Sequence, residues 1–215
     1  MNLGKALIQC GLTADTIVLP AIGAAFQGGY YVGRLTINGS IYAIVISPKA
    51  TGETFGLLYR STMTAFTGNT STNDGILIRD NMVAVGIEQF PAQQWCRNLT
   101  IGGYTDWYLP TNDELELAYR NLKPTTATNV TTAGTNPSAI PPTTSNYTTT
   151  VPAQTSVTVF RTGQAQAFVS DYYASSTKGT TTTTFSLKRM TTGATYSEEF
   201  QYDHTMRAFR RVLIS

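Results

Sequence analysis

The chain has 215 residues, enough for one large domain with a buried core, or for one domain with an appendage. Fifteen Lys and Arg against 13 Asp and Glu give a net charge of +2, too little for the clustered basic face of a nucleic-acid-binding protein. Only Arg207, Arg210 and Arg211 cluster, and in a strand 207 and 211 point one way and 210 the other.

Charged residues are 13% of the chain and there are 12 tyrosines, so solubility must rest on Thr, Ser, Asn and Tyr. Tyr, Ser and Asn also dominate recognition surfaces, although a β-rich protein with many exposed threonines has the same composition. No run approaches the length of a membrane span, and Met1 to Leu19 lacks a basic start followed by an adequate apolar block. The expectation is a protein made in a cytoplasm that leaves it, if at all, by assembly and lysis.

Residues 1–25, with Leu7, Ile8, Ile17, Val18, Leu19 and Ile22 irregularly spaced, read as an N-terminal arm ahead of a domain over 26–215. Such an arm lies on the domain's own sheet or docks onto a neighbouring subunit. The second option implies a homo-oligomer, with a trimer favoured. Asn38-Gly39 between Tyr30–Ile37 and Ser40–Ser47 is a hairpin signal, because both turn positions need positive φ. Ile41 to Ile46 is apolar throughout, as in a strand covered on both faces. Residues 48–80, punctuated by Pro48, Gly52, Gly56, Gly68 and Gly75, read as loops with one or two short strands.

Pro91 sits where a first helical residue would, and Ala92, Trp95, Cys96 and Leu99 repeat at helical spacing, which predicts a helix there. Gly102-Gly103 ends it. Tyr104–Leu109 has room for a short extended run, with Trp107 and Leu109 facing one way and Asp106 and Tyr108 the other. Thr111 and Glu114 have the spacing of a capping box. Leu115, Ala118, Tyr119 and Leu122 then line one helix face, which Pro124 stops.

Residues 124–158 form a Thr- and Pro-rich irregular stretch whose composition alone resembles a linker. Beyond Phe160, a helical turn around Gln164–Phe168 and strands over 172–176, 183–190, 193–200 and 205–214 complete an antiparallel meander. The fold class expected is α+β, two helices flanking a small mixed, mainly antiparallel sheet with long ordered loops.

The run from Gly102 to Leu115, a double glycine, Tyr-x-Asp-Trp-x-Leu-Pro and a capped helix, resembles the Lcl C-terminal domain family of bacterial surface proteins and bacteriophage virion proteins. Two further segments strengthen the likeness. Tyr173-Ala174-Ser175-Ser176-Thr177 is similar to the family's Tyr-Trp-Ser-Ser-Thr, with Ala174 in place of the usual Trp, and Met206-Arg207-Ala208-Phe209-Arg210-Arg211-Val212 is similar to its closing Val-Arg-Ala-Val-Arg-Arg-Val. The resemblance implies a C-type lectin-like fold with structural roles for Trp95, Trp107, Leu109, Thr111, Glu114, Arg207 and Arg210. It also implies that 124–158 is an ordered insertion within the domain, since virion members carry a similar Asn-Pro-x-Ala-x-Pro-Pro stretch.

Chemistry is sparse. His204 is the one histidine and reads as a turn residue, with no partner near it in sequence for zinc or for a nucleophile set. Asp106, Asp113 and Glu114 could suggest calcium, but helix capping accounts for the last two. Cys96 reads as a buried thiol rather than a disulfide partner of Cys10. The Asn-x-Ser/Thr triplets at Asn69, Asn98, Asn129 and Asn146 read as chance matches in a Thr-rich chain. The expectation is therefore no enzyme, no metal and no cofactor.

What remains is a binding or structural role: a bacteriophage tail-fibre or exposed-fibre adhesin taking a host surface glycan or protein, or a purely structural virion component contacting other virion proteins. A bacterial surface adhesin comes third. Recognition is expected on 61–76, 124–150 and the turns near 177–182 and 201–205, with Tyr147, Tyr172, Tyr196 and Tyr202 as contacts, unless a given ring packs beneath its own loop.

Overall fold

Asn38 and Gly39, at φ 51° and 83°, close the hairpin predicted between two β-rich runs. The computed structural model describes residues 17–214. Over these the elements are β1 (Ala25–Phe26), β2 (Gly29–Ile37), β3 (Ser40–Ile46), α1 (Lys49–Gly52), β4 (Glu53–Leu58), α2 (Gly75–Val85), α3 (Pro91–Arg97), α4 (Asn112–Leu122), β5 (Tyr172–Lys178), β6 (Thr184–Arg189), β7 (Thr195–Glu199), β8 (Asp203–Arg207) and β9 (Phe209–Leu213). The class is mixed α+β, but with four helices and two sheets where the sequence pointed to two helices and one sheet.

The first sheet runs β1-β2-β3-β9 and is antiparallel throughout. The second runs β4-β8-β5-β6-β7, antiparallel except where β5 meets β8 in parallel at Tyr173 and Thr205. A continuous final strand over 205–214 is therefore incorrect. The chain leaves the second sheet at Ala208, whose N–H donates to Gly52 O, and β9 joins β3 in the first. Met206-Arg207-Ala208-Phe209 carries no glycine or proline to mark that break; it is made by backbone partners from distant segments.

Two cores form, one mainly against each sheet, with Tyr173 of β5 reaching the first and Val45 of β3 the second. Val32, Leu35 and Ile44 of the first sheet pack with Leu115, Ala118, Tyr119 and Leu122 of α4, so the predicted helix face is buried as expected. Gly33 permits this contact: a Cβ there would press within 3.1 Å of Leu117, and β2 bulges at that point. The second core joins Ala174, Phe185, Leu187 and Met206 to Ile78 and Met82 of α2 and to Ala92 and Cys96 of α3. Trp95 packs against it half-buried.

Residues 104–109 thread between the two cores. Trp107 and Leu109 enter the second and Tyr108 the first, and all three are fully buried because both sides of the run are filled. The run pairs through isolated bridges, Tyr108 with Phe209 among them, rather than as a strand. The capping box forms as expected, with Glu114 N–H donating to the Thr111 hydroxyl and Thr111 N–H donating to Glu114 Oε2 at 2.8 Å.

Two local expectations need correction. Within 48–80, read as loops with one or two short strands, Gly75 opens helix α2, which is capped by Asp74, whose carboxylate accepts from Leu77 N–H at 2.9 Å. The glycine that suggested a loop answers a packing demand instead, since a Cβ on Gly75 would lie 2.5 Å from the Tyr108 ring. The helical turn expected over 164–168 lies earlier, as a 3₁₀ turn over Thr158–Phe160.

The insertion is tied down by buried polar groups. Asn129 donates to Thr148 O and Pro152 O, and Asn136 donates to Asp113 O and to Glu116. Asn69 and Asn129 are buried, which bars glycosylation at either. Of the N-terminal arm, residues 1–16 and with them Cys10 lie outside the described residues. Ile22 packs against the first core, and Ala25–Phe26 pairs with β2.

Candidate recognition surface

The four tyrosines singled out as contacts have different fates. Tyr147 is only 3% exposed, and its hydroxyl donates to Glu116 at 3.0 Å while Arg120 lies over its ring. It holds the insertion onto α4 and is not a surface contact: a ring at the foot of a long loop fills the space beneath it. Tyr196 is 47% exposed and Tyr202 56% exposed, with Tyr172 half-buried beside them in sequence register.

Strand pairing brings Tyr172 and Tyr196 together. Tyr172 opposes Arg189 on β6, and Leu187 two residues earlier opposes Tyr196 on β7, which places both rings on the same face of the sheet. They meet edge-on at 4.9 Å, with the Arg189 guanidinium 5.4 Å from the Tyr172 ring centre. Partial burial, then the neighbouring Tyr196 hydroxyl, raises the Tyr172 hydroxyl pKa.

His204 completes the group. It lies in β8, not in a turn, 6.3 Å from Tyr172 and 5.9 Å from Phe185 ring to ring. Burial holds its pKa below the ordinary histidine value against the pull of Glu198, so the ring is neutral at pH 7. Its Nε2 is 3.9 Å from Glu198 Oε2, and both Nε2 and Arg189 Nε are buried without a hydrogen-bond partner. The surface thus offers two aromatic rings and the Glu198 carboxylate, above two buried nitrogens that have no hydrogen-bond partner. Tyr202 stands in the adjoining β7–β8 turn.

The loop segments gather in part. Phe66 N–H donates to Thr182 O, Lys178 N–H to Asn69 O and Gln201 Nε2 to Ser61 O, so 61–69, the β5–β6 turn and the turn after β7 form one end of the second sheet. The 124–150 stretch is packed instead along α4 and the first sheet.

The acidic residues close in sequence diverge in space. Asp106 forms a bidentate pair with Arg210 at 2.7 and 3.0 Å, Glu114 turns into the capping box, and Asp113 accepts from Thr72 and Ser138. Among the described residues, no three His, Cys, Asp or Glu gather in a way that could hold a metal. The three arginines serve separate acids, Arg207 near Glu53, Arg210 with Asp106 and Arg211 with Asp74, and form no common patch.

Reading the sequence missed Arg189, Glu198 and His204. Their signal is cross-strand: each lies an even number of residues from Leu187, Tyr196 or Met206, positions whose face is set only once the register is known. Comparison with known proteins gives no match to any family model and none to a curated protein.

Proposed function

We propose that this chain is a surface-recognition module of a bacteriophage virion, an adhesin carried on a tail fibre or another exposed fibre. Its contact surface is the face bearing Tyr172, Arg189, Tyr196 and His204, with Tyr202 beside it, and its ligand is a host surface glycan or protein. The observation that carries this reading is an aromatic group on one face of a sheet, exposed Tyr196 edge-on to half-buried Tyr172 with the Arg189 guanidinium beside it. Rigid aromatic rings give contact area at little entropic loss. The resemblance to virion members of the Lcl C-terminal domain family supports the same reading.

The experiment is competition for adsorption of phage to host cells by the purified chain. The unaltered protein should compete, and Tyr196→Ala with Tyr202→Ala should lower competition about tenfold or more while leaving the melting transition in place. A second reading, a structural virion component contacting its neighbours, draws on Phe55, 63% exposed on edge strand β4. Absence of competition, together with particles that fall apart without this chain, would establish that reading in place of the first.

A further inference from the structure

On the opposite face of the second sheet a cleft of about 280 Å³ opens between β6, the start of α4 and the insertion. Its floor is Lys188, which is 3% exposed. One wall is Asn112, Asp113 and Glu116; the other is Thr132–Thr135, with Thr72 and Thr195 at the rim.

The hydrogen bonds within it are incomplete. Lys188 Nζ donates to Gly193 O at 3.2 Å and to Thr195 Oγ1 at 3.4 Å and lies 5.6 Å from the centre of the Tyr147 ring, so its third proton has no oxygen or nitrogen acceptor. Neither facing carboxylate closes an ion pair with it: Glu116 is engaged by Arg120, Asn136 and Tyr147, and Asp113 accepts from Thr72 and Ser138, both at Oδ2. Asn112 Oδ1 is buried with no partner at all. Burial lowers the Lys188 pKa to about 8, opposed by Glu116 and Asp113, so the ammonium still predominates at neutral pH.

Charge narrows the occupant. Two carboxylates, Asp113 and Glu116, balance two cations, Lys188 and Arg120, so neither an anion nor a cation gains from entering. A free donor facing free acceptors suits hydroxyl groups, each of which accepts and donates at once. The volume lies below the range of drug-sized ligands and suits one ring. We propose that this cleft binds a single neutral sugar unit, adjacent hydroxyls held between the Lys188 ammonium and the oxygens of Asp113 and Asn112. It is separate from the tyrosine face and does not depend on that face binding cells.

The test is saturation-transfer NMR on the full chain with glucose, galactose, mannose and N-acetylglucosamine, and with glucuronic acid and glucosamine as charged controls. At least one neutral sugar should give saturation, and Lys188→Met should weaken it about tenfold or more. Asn112→Ala in the wall and Thr195→Val at the rim should weaken it as well and serve as the readout if Lys188→Met does not fold. Tyr196→Ala with Tyr202→Ala should leave sugar binding unchanged while lowering competition for adsorption, which separates this site from the proposed contact surface. Binding of no neutral sugar, preference for a charged control, or binding indifferent to the cleft substitutions would overturn the proposal and leave the cleft to water.

Discussion

Glu114 carries two roles that conflict at neutral pH. It completes the capping box of α4, yet it is fully buried and also accepts from the Tyr108 hydroxyl. Burial, the largest influence, raises its pKa from 4.5 to about 7, against the hydrogen bonds from Tyr108 and Thr111. A carboxyl whose folded pKa exceeds its unfolded one binds more protons in the fold, so its contribution is full below about pH 4.5 and is lost as pH rises through about 7. The size of that loss is about 3 kcal/mol. Glu114→Gln keeps the cap, since an amide oxygen can accept from Thr111 and the amide nitrogen can donate to Tyr108. Denaturant midpoints should therefore fall for the natural protein between pH 4.5 and 7 relative to the Gln variant. Parallel curves for the two proteins would show that the carboxyl does not titrate in this window.

At the scale of elements, the insertion depends on Lys123, the residue that follows α4. Its ammonium is buried and donates to Ala127 O, Asn129 Oδ1 and Pro152 O, while the Tyr119 hydroxyl also donates to Asn129. Three acceptors for three protons make it the hub of a chain segment with little regular structure of its own. Lys123→Met preserves the stem but strands those oxygens, at about 2 kcal/mol. Hydrogen exchange over residues 125–155 should quicken markedly while α4 stays protected. Unchanged protection there would mean the segment is held by Tyr147 and Asn136 instead. The Thr- and Pro-rich composition of this stretch hides such anchoring, because two asparagines, one tyrosine and one lysine are enough to provide it.

Across the whole molecule, Arg207 links the two sheets. From β8 its Nε donates to Ser47 O just past β3, its Nη1 and Nη2 donate to Gln166, and Glu53 of β4 lies 3.8 Å away. Burial lowers its pKa to about 10, with Glu53 opposing, so it stays charged at neutral pH. Arg207→Met would leave the Ser47 and Gln166 carbonyls without their donor in the interior, at about 1–3 kcal/mol each, while Glu53 keeps the Tyr173 hydroxyl and Lys49. Calorimetry should show a clearly lowered melting temperature; a midpoint within a degree or so of the natural protein would place the joint between the sheets elsewhere, with Tyr108 and Phe209 the next candidates.

Local chemistry by itself determined the Asn38-Gly39 hairpin, the Pro91 helix start, the Thr111–Glu114 cap and the apolar face of α4. Each rests on residues within a few positions of one another, and their neighbours in sequence are their partners in space. Only the tertiary structure decided the rest. Position 75 is glycine, though it opens a helix, because Tyr108 leaves no room for a Cβ, and β8 and β9 part at Ala208 because their hydrogen-bond partners lie in different sheets. Tyr147 turned inward and Tyr196 outward although both stand in Thr-rich polar stretches, since a tyrosine's side is set by register and by what covers it. Lys188, Asp113 and Asn112 meet across one cleft from 76 positions apart, and no periodicity in the chain connects residues so separated.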